Sequence, residues 1–433
     1  MLEAHSVLEA LFDYIEASPS PFHAAAAAVD RLRTAGFAEA ARSDDWSDFD
    51  FTAGFAVRDG GTVFAVRASP DVNPQELRFN VIGAHTDSPN LRIRPQPDSG
   101  RLGYRQLGVE VYGGALLNSW LDRDLGLSGR VVVRDAMSGD TSTVLWRCDR
   151  ALLRVPQLAV HLDREANDGL KLDRQQHMTP VWGLGEPSAH GFREFLATEL
   201  AVEADAVLAW DVMAHDLTPP ARLGQDGEMY AAARIDNLAS CHAAIEALAG
   251  CAEQHDDTAG VVVLFDHEEI GSSSATGASS PILADALERI AQGLGANREQ
   301  YLRSVARSLC VSADGAHAVH PNYPERHEPG HLPALNGGPV VKTNANVRYA
   351  TDARTHARFV AACGAAGVPH QVYSHRGNLA CGSTIGPITA SRLGMSVVDV
   401  GSPQLSMHSA RELGGSDDPA MLTTALGAFL ANG

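Results

Sequence analysis

The chain has 433 residues, 45% of them hydrophobic, and a formal net charge of −19 at pH 7; this length exceeds the size at which one core usually keeps growing, so two or more domains are expected. A field of that sign repels polyanions, which sets aside nucleic acid and acidic membrane surfaces as partners while leaving small substrates open. No run approaches the ~20 apolar residues of a membrane span. The start carries Glu3, Glu9, Asp13 and Glu16 instead of a basic signal segment, and the six cysteines form no CxxC pair, so a soluble, cytoplasmic chain with reduced thiols is expected.

In chain order, helices are predicted over His5–Ala17 and His23–Ala35, separated by Ser18-Pro-Ser-Pro21, where Ser and Pro stop one helix and start the next. Strand-like runs follow at Thr62–Arg67 and Arg78–Ala84, the second leading into His85-Thr-Asp-Ser-Pro89. His85 and Asp87 are two apart and in an extended chain share a side, although His-x-Asp alone is more often a surface turn, here closed by Pro89. From about 92 to 205 short β-like pieces, such as Gly108–Tyr112, Gly129–Arg134 and Thr143–Trp146, are punctuated by glycine and charged turns. This texture predicts a β-rich domain inserted between residues 1–91 and 206–433.

Val207–Val212 reads as the return to the main sheet, and Leu238, Cys241, Ile245 and Leu248 follow a helical period with Asp236 near the helix start, where a plain capping role is the common one. Val261–Phe265 is a β-branched, apolar run ending in Asp266-His-Glu-Glu269 before Gly271, the pattern of a buried strand delivering acids to its C-terminal edge. Helices are expected over 281–307. A short strand, Arg307–Ser312, then precedes Asp314 and His317, and the five prolines of 321–346 predict a loop. A helix over Asp352–Ala365, strands at His370–Tyr373 and Met395–Gly401, His408 and a closing helix over Asp418–Leu430 complete the chain.

The candidate groups share a position. His85 with Asp87, Asp236, Glu268 with Glu269, Asp314 and His408 each follow a strand or open a helix, and in open α/β sheets ligands bind beyond the carboxyl ends of the strands. Imidazole and carboxylate donors without thiolate suit Zn²⁺, Mn²⁺ or Co²⁺. Two histidines and three acids suffice for two such ions with one shared carboxylate, and a glutamate beside a ligand glutamate is then placed to act as general base.

The segments Gly83–Pro89, Arg234–Leu238, Asp266–Ser272, Ser312–Pro321 and Leu405–Glu412 together resemble the aspartyl aminopeptidase family of di-zinc exopeptidases, in order and across nearly the whole chain. The resemblance implies a central mixed sheet flanked by helices, interrupted by a β-rich dimerisation domain, and assembly into a tetrahedral dodecamer. It implies that His85 and Asp314 hold one ion, Glu269 and His408 the other, with Asp236 shared, Glu268 as general base and Asp87 orienting His85. It also implies that Lys342 and Tyr349 lie near the substrate side chain and that His161 reaches a neighbouring subunit's site. Gly315 stands where the family more usually has Met.

The implied activity is removal of N-terminal Asp or Glu from short peptides. A di-metal amidohydrolase or deacylase acting on acylated amino acids differs only in the bond, and refusal of an N-acetylated peptide separates the two. A catalytically idle assembly or cargo protein of the same fold is the reading from another class. Loss of a ligand or of Glu268 would favour it, and neither is lost.

Overall fold

The computed structural model describes residues 4–186, 191–251 and 256–432; Glu3 of the acidic N-terminal start lies outside them. The chain divides into two compact units. One comprises Met1–Asp87, Pro220–Met407 and Glu412–Gly433, the other Ser88–Pro219 with His408–Arg411.

Among the described residues, the first unit is built on a nine-stranded sheet in the spatial order Ala38–Ala40, Phe55–Asp59, Thr62–Ala68, Thr258–Phe265, Arg78–His85, Leu309–Ala313, Ser396–Gly401, Val340–Thr343 and Gln371–Ser374. The four central strands, from Thr258–Phe265 to Ser396–Gly401, are mutually parallel. The Thr62–Ala68 and Val340–Thr343 neighbours run antiparallel to them. Parallel central strands covered on both faces must be apolar on both, and every residue of Thr258–Phe265 and Leu309–Ala313 is buried. The period of two sorts them. Val262 and Leu264 join a core with Leu11, Leu32, Leu238, Ile245, Phe359 and Leu426, whereas Val261, Val263 and Phe265 face Leu287, Ile290 and Tyr301. Helices thus cover each face, as expected for an α/β sheet. The expected helices are found at Ala4–Ala17, Pro21–Thr34, Ile235–Gly250, Ile282–Gly293, Arg298–Arg307, Ala353–Ala366 and Asp418–Asn432.

Among the described residues, the second unit is built on a six-stranded antiparallel sheet in the order Thr141–Leu153, Leu125–Arg134, Val207–Asp216, Asn90–Arg101, Tyr104–Tyr112 and Val181–Leu184. Its core includes Leu91, Leu107, Leu127, Val131, Phe192, Leu196 and Val212. Gly129, at φ +156, lies so close to the neighbouring strand that a Cβ would stand 2.0 Å from the Asp211 carbonyl oxygen.

Two expectations are corrected. Val207–Asp216 does not return to the main sheet but pairs antiparallel with Leu125–Arg134 in the second unit; an apolar run shows that a strand is buried, and only the partner decides in which sheet. Val340–Thr343, inside the expected 321–346 loop, is a strand between Ser396–Gly401 and Gln371–Ser374, because pairing on both sides overrides the prolines around it. All six cysteines are free thiols, and no described helix is long and apolar enough to cross a membrane.

Candidate metal centre

Parallel pairing brings the carboxyl ends of the central strands to one edge. Phe265 lies opposite His85, Ser312 opposite Gly83 and Ala313 opposite Val400. The residues that follow, Glu268, Glu269 and Asp314, therefore emerge beside His85. Asp236 comes from the start of the Ile235–Gly250 helix, where it and Asn237 have non-helical backbone angles. That helix is tied to the strand ends by Asn237 Nδ2 donating to the Ala313 carbonyl at 2.8 Å and Cys241 Sγ to the His85 carbonyl at 2.9 Å.

The donors converge. His85 Nε2 lies 3.4 Å from Asp236 Oδ1 and 3.4 Å from Asp314 Oδ1. One donor atom from each of these three buried residues, and likewise from His85, Glu268 and Glu269, falls within 4.8 Å of the others. Asp87 is completely buried and has two functions. Its Oδ1 stands 3.4 Å from His85 Nδ1, and its two carboxylate oxygens accept the backbone N–H groups of Glu268 at 3.0 Å and Glu269 at 3.1 Å. The His85 Nδ1 lies closer still, at 2.9 Å, to the Asp87 backbone carbonyl, and the Asp87 carboxylate clamps the turn that presents both glutamates, a contact that sequence reasoning missed.

Gly401 permits the last close approach. A Cβ there would meet the Asp314 carbonyl oxygen at 1.6 Å, while Asp314 N–H donates to the Val400 carbonyl at 2.9 Å.

Charge marks the place as a cation site. Burial alone lowers the pKa of His85, yet hydrogen bonds donated by its ring to the carboxylates of Asp236, Asp314 and Asp87 outweigh it and raise the pKa well above the ordinary imidazole value. Burial likewise pushes the Glu268 carboxyl well up, opposed by His85 and reinforced by Asp314, Glu269 and Asp87. In the bare chain, this crowd of carboxylates therefore draws protons where a divalent cation would relieve the repulsion. The His85 imidazole with the carboxylates of Asp236, Asp314 and Glu269 is a donor set that zinc and its first-row neighbours accept. The residues fit the implied metal.

The remaining candidates are placed as follows. Lys342, expected on a loop, is 2% exposed on a strand. Its Nζ donates to the Gly315 carbonyl at 3.1 Å and stands 3.7 Å from Asp314 Oδ2 and 5.1 Å from the centre of the buried Tyr349 ring. His161 and His408 both belong to the second unit. His161 is exposed, beside exposed Leu158, Val160 and Leu162. His408 Nδ1 lies 3.1 Å from the Gly114 carbonyl, which fixes the tautomer with its lone pair on Nε2. Sequence reasoning gave no role to buried Glu412, which accepts the Asp236 backbone N–H at 2.8 Å. The only sequence signal for it was its place at the end of the Leu405–Glu412 motif.

A mixed sheet whose parallel strands gather an imidazole and carboxylates at one edge offers a place where a divalent cation can be held. The family model described as aminopeptidase I zinc metalloprotease (M18) matches residues 14–430. A probable M18 family aminopeptidase 2 of Streptomyces coelicolor is 50% identical over 424 residues, covering 97% of this chain and 96% of the relative. Its namesake in Mycobacterium tuberculosis is 48% identical over 427 residues, with 97% of each chain covered. A chain from a cryo-EM structure of the Ape4 and Nbr1 complex superposes with a TM-score of 0.95 at 34% identity, over 99% of this chain and 86% of that one. The crystal structure of prApe1 gives 0.92 at 25%, over 99% and 95%. The chain belongs to the M18 family of zinc metalloprotease aminopeptidases.

Proposed function

We propose that this aminopeptidase removes N-terminal residues, preferentially Asp or Glu, from short peptides in the cytoplasm. The observation that carries the catalytic reading is the convergence of His85, Asp236, Asp314, Glu268 and Glu269 on one strand edge, with their donor atoms within 4.8 Å in two overlapping sets. In this reading His85 and Asp314 hold one divalent ion, Glu269 and His408 hold a second, and Asp236 is shared; Zn²⁺ fits these donors, and Mn²⁺ or Co²⁺ can replace it. When bound, the ions supply Lewis acidity for the scissile carbonyl and for the attacking water.

The chain does the rest. Glu268 takes the proton of the attacking water on a carboxylate oxygen and passes it to the nitrogen of the leaving amine. Asp87 holds the Glu268–Glu269 turn through its two backbone N–H groups and keeps the His85 ring in place. Lys342, beside Asp314 and the Tyr349 ring, supplies the cation for an acidic substrate side chain. His161, on an exposed apolar segment, is contributed to a neighbouring subunit. The β-rich unit serves as the dimerisation module, and dimers assemble into a tetrahedral dodecamer.

The test pairs two variants. Glu268→Gln abolishes turnover of an N-terminal Asp amide while metal content by atomic emission is unchanged, whereas Glu269→Gln loses both. Equal metal loss in both variants, or an enzyme indifferent to strong chelators, overturns the assignment.

A further inference from the structure

The turn bearing Glu268 and Glu269 is held from behind by a buried carboxylate, Asp87, that accepts backbone N–H groups. The same device recurs at Asp236. Arg234 caps the Ile235–Gly250 helix, so its first helical bond is Leu238 N–H to the Arg234 carbonyl. The Asp236 N–H is thus one of the donors that a helix start leaves without an intrahelical acceptor. Glu412 meets it, with Oε2 at 2.8 Å, from a position 2% exposed.

The fold delivers Glu412 there. It opens the middle strand of a five-stranded sheet formed by Ala221–Leu223, Met229–Ala232, Glu412–Gly415, Pro403–Leu405 and Ala316–His317. In that sheet it pairs with Ala232, four residues before Asp236. Its second oxygen lies 3.5 Å from Nε2 of buried Gln404. The Gln404 side chain in turn packs 3.3 Å from where a Cβ would project from Gly315, the residue after Asp314. One buried carboxylate therefore sits behind the Asp236 backbone, with Gln404 beside it. A buried glutamate is costly to desolvate and is retained where its oxygens have defined work.

We propose that Glu412 is the positioning residue of the shared ligand Asp236. It acts through the hydrogen bond to the Asp236 backbone, and not through its charge; this inference rests on the metal reading above. Two substitutions separate hydrogen bond from charge. Glu412→Asp keeps the charge but is one methylene too short to reach, and Glu412→Gln keeps an oxygen acceptor at full reach without the charge.

The full chain is stripped with a chelator, and Zn²⁺ affinity is measured by competition with a chromogenic chelator, on protein whose circular dichroism matches the parent. Glu412→Asp is expected to weaken Zn²⁺ binding about 10–100-fold, the usual effect of losing a group that orients a ligand. Both binding steps should weaken together, because Asp236 serves both ions. Glu412→Gln is expected to stay within about threefold of the parent. Parental affinity in Glu412→Asp overturns the proposal, as does a loss in Glu412→Gln as large as that in Glu412→Asp. If Glu412→Asp does not fold, Glu412→Ala, which removes both the acceptor and the charge, takes its place in the same comparison with Glu412→Gln. A parent chain that takes up no Zn²⁺ overturns the metal reading itself, an outcome distinct from uptake by the parent with an unaffected Glu412→Asp.

Discussion

Lys342 is 2% exposed, with its Nζ 3.1 Å from the Gly315 carbonyl and 3.7 Å from the Asp314 carboxylate. It lies opposite Asp399 across the sheet. Burial raises the Asp399 carboxyl pKa, and Lys342 is the strongest influence holding it down. On the proposed reading, a dehydrated cation beside Asp314 selects an acidic substrate side chain against the long-range repulsion of a chain carrying −19, because local charge-assisted contacts outweigh screened distant ones. Lys342→Met should therefore lower kcat/KM for N-terminal Asp and Glu by about 2 kcal/mol more than for Leu or Ala. A uniform fall accompanied by metal loss would instead assign Lys342 to holding Asp314.

His242 gives a prediction away from the site. It is fully buried against Tyr14, with Glu246 Oε1 3.8 Å from its Nε2, and burial, aided by Arg31, lowers its pKa from 6.5 to about 3. The unfolded chain takes up this proton as the pH falls through 6.5 and the folded chain does not. The contribution is therefore whole above pH 6.5 and lost progressively below it. By pH 5 the loss amounts to about 2 kcal/mol. Denaturant unfolding of His242→Leu at pH 7 and pH 5 should show a correspondingly smaller acid penalty; identical pH slopes in the two proteins would refute it.

Among the elements, the strand ends decide the chemistry. Gly401 closes the Ser396–Gly401 strand where the Asp314 carbonyl crosses it, leaving 1.6 Å for a Cβ. Gly401→Ala must push the Asp314 segment away, at a cost of about 1–3 kcal/mol. Both the urea midpoint and the zinc content should fall; a variant with full zinc content would show that Asp314 is positioned independently of this crossing. The strands that read clearly from sequence, Arg78–His85 and Thr258–Phe265, are the long apolar runs buried on both faces. Val340–Thr343 did not, since a four-residue run among Pro333, Pro339 and their neighbours carries too few positions for a period. Its strand character comes from its two partners.

For the whole molecule, the exposed segment with Leu158, Val160, Leu162 and His161 is an apolar patch on a unit whose own core is complete without it, as expected of a surface that meets another chain. If His161 completes a neighbour's site, co-expressing His161→Ala with Glu268→Gln should restore activity in about a quarter of the sites. Only a site with its own Glu268 beside a subunit retaining His161 is competent in a symmetric dimer. No recovery in demonstrably mixed assemblies would place His161 in its own subunit's site or outside catalysis.

The sequence by itself determined the donor types, their order and their places after strands. These are local properties, set by side-chain period and by the turn chemistry of a few adjacent residues. It also determined the family through five short motifs. Only the tertiary structure decided which sheet Val207–Asp216 joins, that Lys342 is buried, and that Asp87 and Glu412 hold the backbones of Glu268, Glu269 and Asp236. These contacts depend on partners far away in the chain, up to 182 positions for Asp87 and Glu269. A local pattern can show that a group is buried or acidic, but the acceptor it meets is chosen by the packing of the whole sheet.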